Sequence, residues 1–112
     1  MMQFMIEGLC TETFDKARAL AAVMDLASAI DMTPVGDLLW HDLETGPYFI
    51  QVIAESHIIG RYCNMEGSPP YVSIEVLSCK PFQAIKAMRS IVSLFGIYDV
   101  RFRKLTHRGS QA

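Results

Sequence analysis

The sequence predicts an α+β domain, a two-layer sandwich in which an antiparallel sheet carries two helices on one face. Three observations predict it. Two segments repeat apolar residues at helical spacing, several short segments have the apolar content or alternation of strands, and the order is strand, helix, several strands, helix, strand. With 112 residues and 51% hydrophobic content, residues 1–112 form one packed domain and are too few for two ordinary ones. No linker, internal repeat or low-complexity stretch divides them.

Gln3 to Cys10 is apolar and short, as a strand is. Thr11-Glu12-Thr13 then offers a helix entry, with a threonine oxygen for the first free N–H groups. From about Phe14 to Ile30 the residues Ala17, Leu20, Ala21, Met24 and Ala27 recur at helical spacing and are read as core, with Asp15 and Arg18 paired on the wet side. Pro34 to His41 and Tyr48 to Ala54 read as strands joined by a turn at Glu44-Thr45-Gly46-Pro47, and His57 to Tyr62 as a third. Tyr71 to Ser78 alternates cleanly: Val72, Ile74 and Val76 face the helices, and Ser73, Glu75, Leu77 and Cys79 face away. Pro81 suits a first helical turn, Phe82, Ile85, Met88, Val92 and Phe95 make a buried stripe, and Gly96 stops the helix. A last strand covers about Tyr98 to Lys104.

A net charge of -2 and a pI near 5.8 speak against a general nucleic-acid binder, which needs a broad basic surface. The one basic cluster is Arg101, Arg103, Lys104, His107 and Arg108. There Val100 and Phe102 alternate with the arginines, as on an edge strand showing its charged side to water. Cys10, Cys63 and Cys79 are an odd number without zinc-type spacing, and no cleavable signal opens the chain. These features fit a reducing cytoplasm. No apolar run reaches the roughly 18 residues of a membrane span. A domain this small leaves one sheet face to cover, so a homodimer is the default expectation.

The chemistry-bearing stretch is Ile53-Ala54-Glu55-Ser56-His57-Ile58-Ile59, with a carboxylate, a hydroxyl and an imidazole in succession. In an extended chain Glu55 and His57 share a face and Ser56 takes the other, so spacing alone makes no hydrolase dyad. A structural turn is the competing reading.

Ala54-Glu55-Ser56-His57 after an apolar strand, then a short apolar strand, a Pro-containing loop, an alternating strand ending Ser78-Cys79, and a helix opening Lys80-Pro81-Phe82 resembles the small prokaryotic S-adenosylmethionine decarboxylase proenzymes. The resemblance runs from about Phe4 to Gly109 and includes His107-Arg108-Gly109. It implies that fold and a pyruvoyl-dependent carboxy-lyase of polyamine (spermidine) biosynthesis, made as a zymogen. In that family the serine hydroxyl attacks the bond before it, giving an ester that eliminates and hydrolyses to an amino-terminal pyruvoyl group.

Carried over, autocatalytic cleavage falls between Glu55 and Ser56, giving residues 1–55 and 56–112. The pyruvoyl carbonyl then forms a Schiff base with the substrate amine and draws electrons as carbon dioxide leaves, with no metal. Cys79 matches the family cysteine that returns a proton to the substrate carbon. Its competing reading is a small buried hydrophobe at a strand end. Glu66 falls where the family has an acidic contact to the ribose, in a loop that is longer here; an exposed loop glutamate is the alternative.

Three positions depart from the family. The processing histidine, five residues beyond the serine, is Arg61. A guanidinium stays protonated, so it can stabilise an oxyanion or hold a carboxylate but cannot serve as an ordinary base. His57 is the available substitute. A second family serine falls at Tyr48, and the aromatic residue that stacks on adenine falls at Leu43; His41 and His107 read as structural. Arg61 would repel a sulfonium and suit a carboxylate. Three readings therefore stand: an S-adenosylmethionine decarboxylase, a pyruvoyl decarboxylase of another amino acid such as ornithine or arginine, and an unprocessed homologue that binds a ligand or partner.

Overall fold

The computed structural model describes residues 2–11, 14–54, 56–64, 67–80 and 82–106, with the backbone alone at 105 and 106. In chain order the elements are β1 (Met2–Cys10), α1 (Lys16–Ala29), β2 (Pro34–Leu43), β3 (Gly46–Ile53), β4 (Ser56–Cys63), β5 (Tyr71–Ser78), α2 (Ala84–Phe95) and β6 (Ile97–Thr106). The strands form one sheet in the order β2-β3-β4-β5-β1-β6. Every neighbouring pair is antiparallel. This is the two-layer α+β sandwich, with α1 and α2 packed on one face.

Period-two burial explains the layering. In β1 Met2, Phe4, Ile6 and Cys10 are buried, and in β5 Val72, Ile74 and Val76 are, while the residues between them are not. Phe49, Ile53 and Ile58 extend the same face across β3 and β4. Each such side chain taken from water contributes about 1.5–3 kcal/mol. Gln51, also buried, donates from Nε2 to Val35 O and Gly36 O at 3.2 Å. Those bonds hold the irregular stretch where the β2–β3 register shifts between Val35 and Leu39.

Both helices differ from the sequence reading in their buried stripe. In α1 the buried residues are Ala19, Ala22, Val23, Leu26 and Ala27, whereas Leu20 and Met24 are 46% and 53% exposed and Ala17 and Ala21 face water. The small residues Ala19 and Ala22 let the backbone approach its neighbours closely, so that stripe turns inward. The cap is Asp15, not a threonine: its Oδ1 accepts from the Arg18 N–H at 2.7 Å. Arg18 Nη1 in turn donates to Leu94 O at 2.7 Å, tying α1 to α2. Glu12, Thr13 and Pro81 lie outside the described residues.

In α2 the buried residues are Ala87, Ile91 and Phe95, while Ile85 is 54% exposed and Phe82, Met88 and Val92 are partly buried. The helix begins at Ala84, later than a start at Pro81, because the chain through Lys80 is held in a turn by Ser78. Gly96 ends it with φ 58°, a left-handed conformation that glycine adopts at little cost.

Gly60 in β4 answers to space. A Cβ there would lie 2.2 and 2.4 Å from ring atoms of buried Phe49 and 2.9 Å from Ile74 Cδ1. Gly60→Ala is expected to cost about 1–3 kcal/mol, lowering the melting temperature by roughly 5–15 °C. An unchanged melting curve would show that the Phe49 ring yields freely.

Candidate active site

The ladder registers decide which candidate residues can meet. Ser56 opens β4, paired with Ile53 of β3 on one side and Ser78 of β5 on the other. Its side chain takes the face of Ile58 and Gly60, towards the helices. Ser78 is fully buried, and its hydroxyl donates to Lys80 O at 2.7 Å and accepts from the Lys80 N–H at 3.0 Å. Met32 Sδ lies 3.5 Å from the same oxygen. Cys79, the next residue, is exposed. Ser56 and the Ser78–Cys79 turn thus share one end of the sheet. His57 follows Ser56 but takes the opposite face, in a row with Val52 and Leu77.

Arg61 shares the open face with His57, at the other end. Five residues of strand separate it from Ser56, about 17 Å, and the odd number puts the two on opposite faces. Its row across the sheet is His41, Tyr48, Arg61, Ser73, Glu7 and Arg101. Tyr48, Arg61 and Leu43 line one cleft of about 340 Å³, with Glu7, Tyr71 and Cys63. That cleft does not reach Ser56 or Cys79. The six candidates on described residues therefore fall into two groups: Ser56, His57 and Cys79 at one end, and Leu43, Tyr48 and Arg61 at the other. Glu55, Glu66 and His107 lie outside the described residues. His41 is exposed and stacks on Tyr48, ring centroids 5.0 Å apart.

The sequence reading missed Glu7 and Tyr71. The Tyr71 hydroxyl donates to Glu7 Oε2. Burial first, then that hydrogen bond and the carboxylate charge, push Tyr71 from 10.0 up to about 12, against the pull of Arg101 and Arg61. Because the folded value is the higher, the stability it brings is present below the unfolded value of 10.0 and is lost as pH rises to about 12. A glutamate on the period-two face of an apolar strand was the available signal; its partner, 64 residues away, was not visible.

The open face divides in character. Val35, Leu39, Val52, Ile50 and Ile59 make the β2–β4 half apolar, with Val35, Leu39 and Val52 about half exposed. Glu7, Glu75, Arg101 and Arg103 charge the other half, β5-β1-β6, where Gln3 Nε2 donates to Glu75 Oε1 at 2.7 Å. Arg101, Arg103 and Lys104 are exposed on the edge strand β6. Among the described residues no group of three or more His, Cys, Asp or Glu side chains is placed to hold a metal. Among the described residues no helix is long and apolar enough to cross a membrane.

Comparison with known proteins agrees with this fold. The fold is similar to that of the adenosylmethionine decarboxylase from Aquifex aeolicus VF5, with a TM-score of 0.68 at 10% sequence identity over 99% of this chain and 96% of that one. No curated protein matches the sequence. A family model described as S-adenosylmethionine decarboxylase matches residues 6–109. The chain belongs to the S-adenosylmethionine decarboxylase family.

Proposed function

We propose that this chain is a self-processing decarboxylase of S-adenosylmethionine, serving spermidine formation, in which cleavage between Glu55 and Ser56 converts Ser56 into a pyruvoyl group. The observation that carries the reading is the pairing of Ser56 with Ser78, one residue from Cys79, at one sheet end. The fold also suits a cut there. Residues 1–55 would keep β1, β2 and β3, and residues 56–112 would keep β4, β5 and β6. Because β1 lies between β5 and β6 and β3 pairs with β4, three antiparallel ladders would still join the products.

A pyruvoyl group at Ser56 supplies an electron sink for loss of carbon dioxide from a substrate amine. Cys79 holds the proton that the substrate carbon needs afterwards, and its exposure gives a ligand access. Ser78 lines the same end. In this reading Leu43, Tyr48 and Arg61 serve the substrate or the processing step, with Glu66 as the ribose contact.

One chain cannot bring Arg61 to Ser56, so the complete site is a property of a homodimer. Two copies joined through their open faces, about a two-fold axis lying across the strands, set one copy's Ser56 end against the partner's Arg61 end. The apolar β2–β4 half supplies the contact, in a helix-sheet-sheet-helix assembly. Sedimentation at micromolar concentration is expected to show a dimer; a monomer would exclude this arrangement.

A second reading, a pyruvoyl decarboxylase of another amino acid such as ornithine or arginine, is favoured by Arg61 in the cleft, since a guanidinium repels a sulfonium. Carbon dioxide release from carboxyl-labelled S-adenosylmethionine, ornithine and arginine, measured side by side, separates the two. Release from S-adenosylmethionine alone supports the first reading, and release from an amino acid alone supports the second. No release from any of the three, with an uncut chain, would leave the non-enzymatic homologue.

A further inference from the structure

We propose that Ser78 is a positioning residue, fixing the Cys79 thiol beside Ser56 by clamping Lys80 through both of its backbone groups. The inference rests on the reading of Cys79 as a proton donor. Ser78 and Gln51 are the buried polar residues of the described core, and Gln51 is accounted for by the β2 irregularity. A hydroxyl taken fully from water needs partners. Ser78 finds them two residues ahead, accepting from Lys80 N–H at 3.0 Å and donating to Lys80 O at 2.7 Å.

The chain between these anchors is Cys79. With Ser78 in the β5 ladder and Lys80 tied back to its side chain, the Cys79 backbone is held from both sides. The same turn delays the start of α2 to Ala84. Ser78 also stands directly opposite Ser56, and side chains so opposed have Cβ atoms about 4.5–5.5 Å apart. The clamp therefore fixes the thiol relative to the atom on which the chemistry centres. Met32, whose flexible thioether packs on the Ser78 oxygen, closes the turn from the helix side.

The test compares Ser78→Ala and Ser78→Thr in the full chain. Turnover of S-adenosylmethionine is one readout. The other is the pH profile of Cys79 alkylation by iodoacetamide, with the modified peptide identified by mass. Ser78→Ala is expected to lower kcat roughly 10- to 100-fold at constant KM, the scale of a small misplacement, and to shift the alkylation profile. Ser78→Thr keeps the hydroxyl and is expected to retain both parental values. Parental kcat and a parental profile in Ser78→Ala would overturn the proposal.

If Cys79→Ala keeps parental turnover, the proton-donor reading fails, while the alkylation profile still decides whether Ser78 sets the thiol's surroundings. That profile also decides in a chain without turnover. Should Ser78→Ala not fold, amide exchange at Lys80 in the unaltered protein decides: slow exchange supports the clamp, and exchange at the rate of a free amide overturns it.

Discussion

Ser56→Ala is expected to leave a single uncut chain near 12.6 kDa and to reduce decarboxylation to background. In the proposed processing the hydroxyl is the internal nucleophile, so its removal would eliminate the route rather than slow it. The fold should tolerate the change. Ser56 is the first residue of β4, half-buried, and its ladder partners Ile53 and Ser78 are met through the backbone, which alanine retains. A surface-type substitution of this kind shifts stability by about 0.5 kcal/mol or less. Loss of cleavage with an unchanged melting temperature is therefore the expected pair of results. Cleavage at the same bond in Ser56→Ala would assign the cut to an external protease.

Arg61→His is expected to raise the rate of processing, by up to about 100-fold to 10,000-fold if it restores a general base for removal of the serine α-proton from the ester intermediate. The parent is expected to process slowly for want of that base. The geometry makes the route specific. Arg61 faces away from Ser56 in its own chain, about 17 Å along β4. Because Ser56 is the first residue of β4, in the proposed dimer a histidine at position 61 would reach Ser56 of the partner subunit around the strand end, not across the sheet.

A mixed dimer separates the routes. A tagged chain carrying both Ser56→Ala and Arg61→His, co-expressed with the parent, is expected to accelerate cleavage of the parent chain, although the tagged chain itself cannot be cut. Acceleration confined to chains that carry their own histidine would contradict the composite site. Rapid processing of the parent, unaffected by Arg61→His, would point to His57 or another group as the base.

The parts of the fold legible in sequence were those with one dominant period. β5 matches its expected span of Tyr71–Ser78 because Val72, Ile74 and Val76 alternate without interruption between Pro70 and Lys80. The α1 boundaries came within two residues at each end, but its buried face did not: α1 has apolar residues on two stripes, and composition does not say that the Ala19, Val23, Leu26 stripe packs inward. The start of α2 was misread because Pro81 suits a first turn, whereas the Ser78 bonds to Lys80 hold the preceding chain in another shape.

For the site, Glu55-Ser56-His57 and Ser78-Cys79 stood out only through family resemblance, since three polar residues at a strand junction are common. The division into two ends was legible in part: an odd separation along a strand already sets Ser56 and Arg61 on opposite faces. The pairing of Tyr71 with Glu7 was not, because it depends on β1 lying beside β5.

The intact mass of the purified protein, taken at once and after prolonged incubation, tests processing at Ser56 most directly. Two chains, residues 1–55 and residues 56–112 with an amino terminus blocked as pyruvoyl, are expected to accumulate with time beside residual uncut chain. A single species near 12.6 kDa that persists unchanged through the incubation would contradict self-cleavage at Glu55–Ser56, and with it the pyruvoyl enzyme.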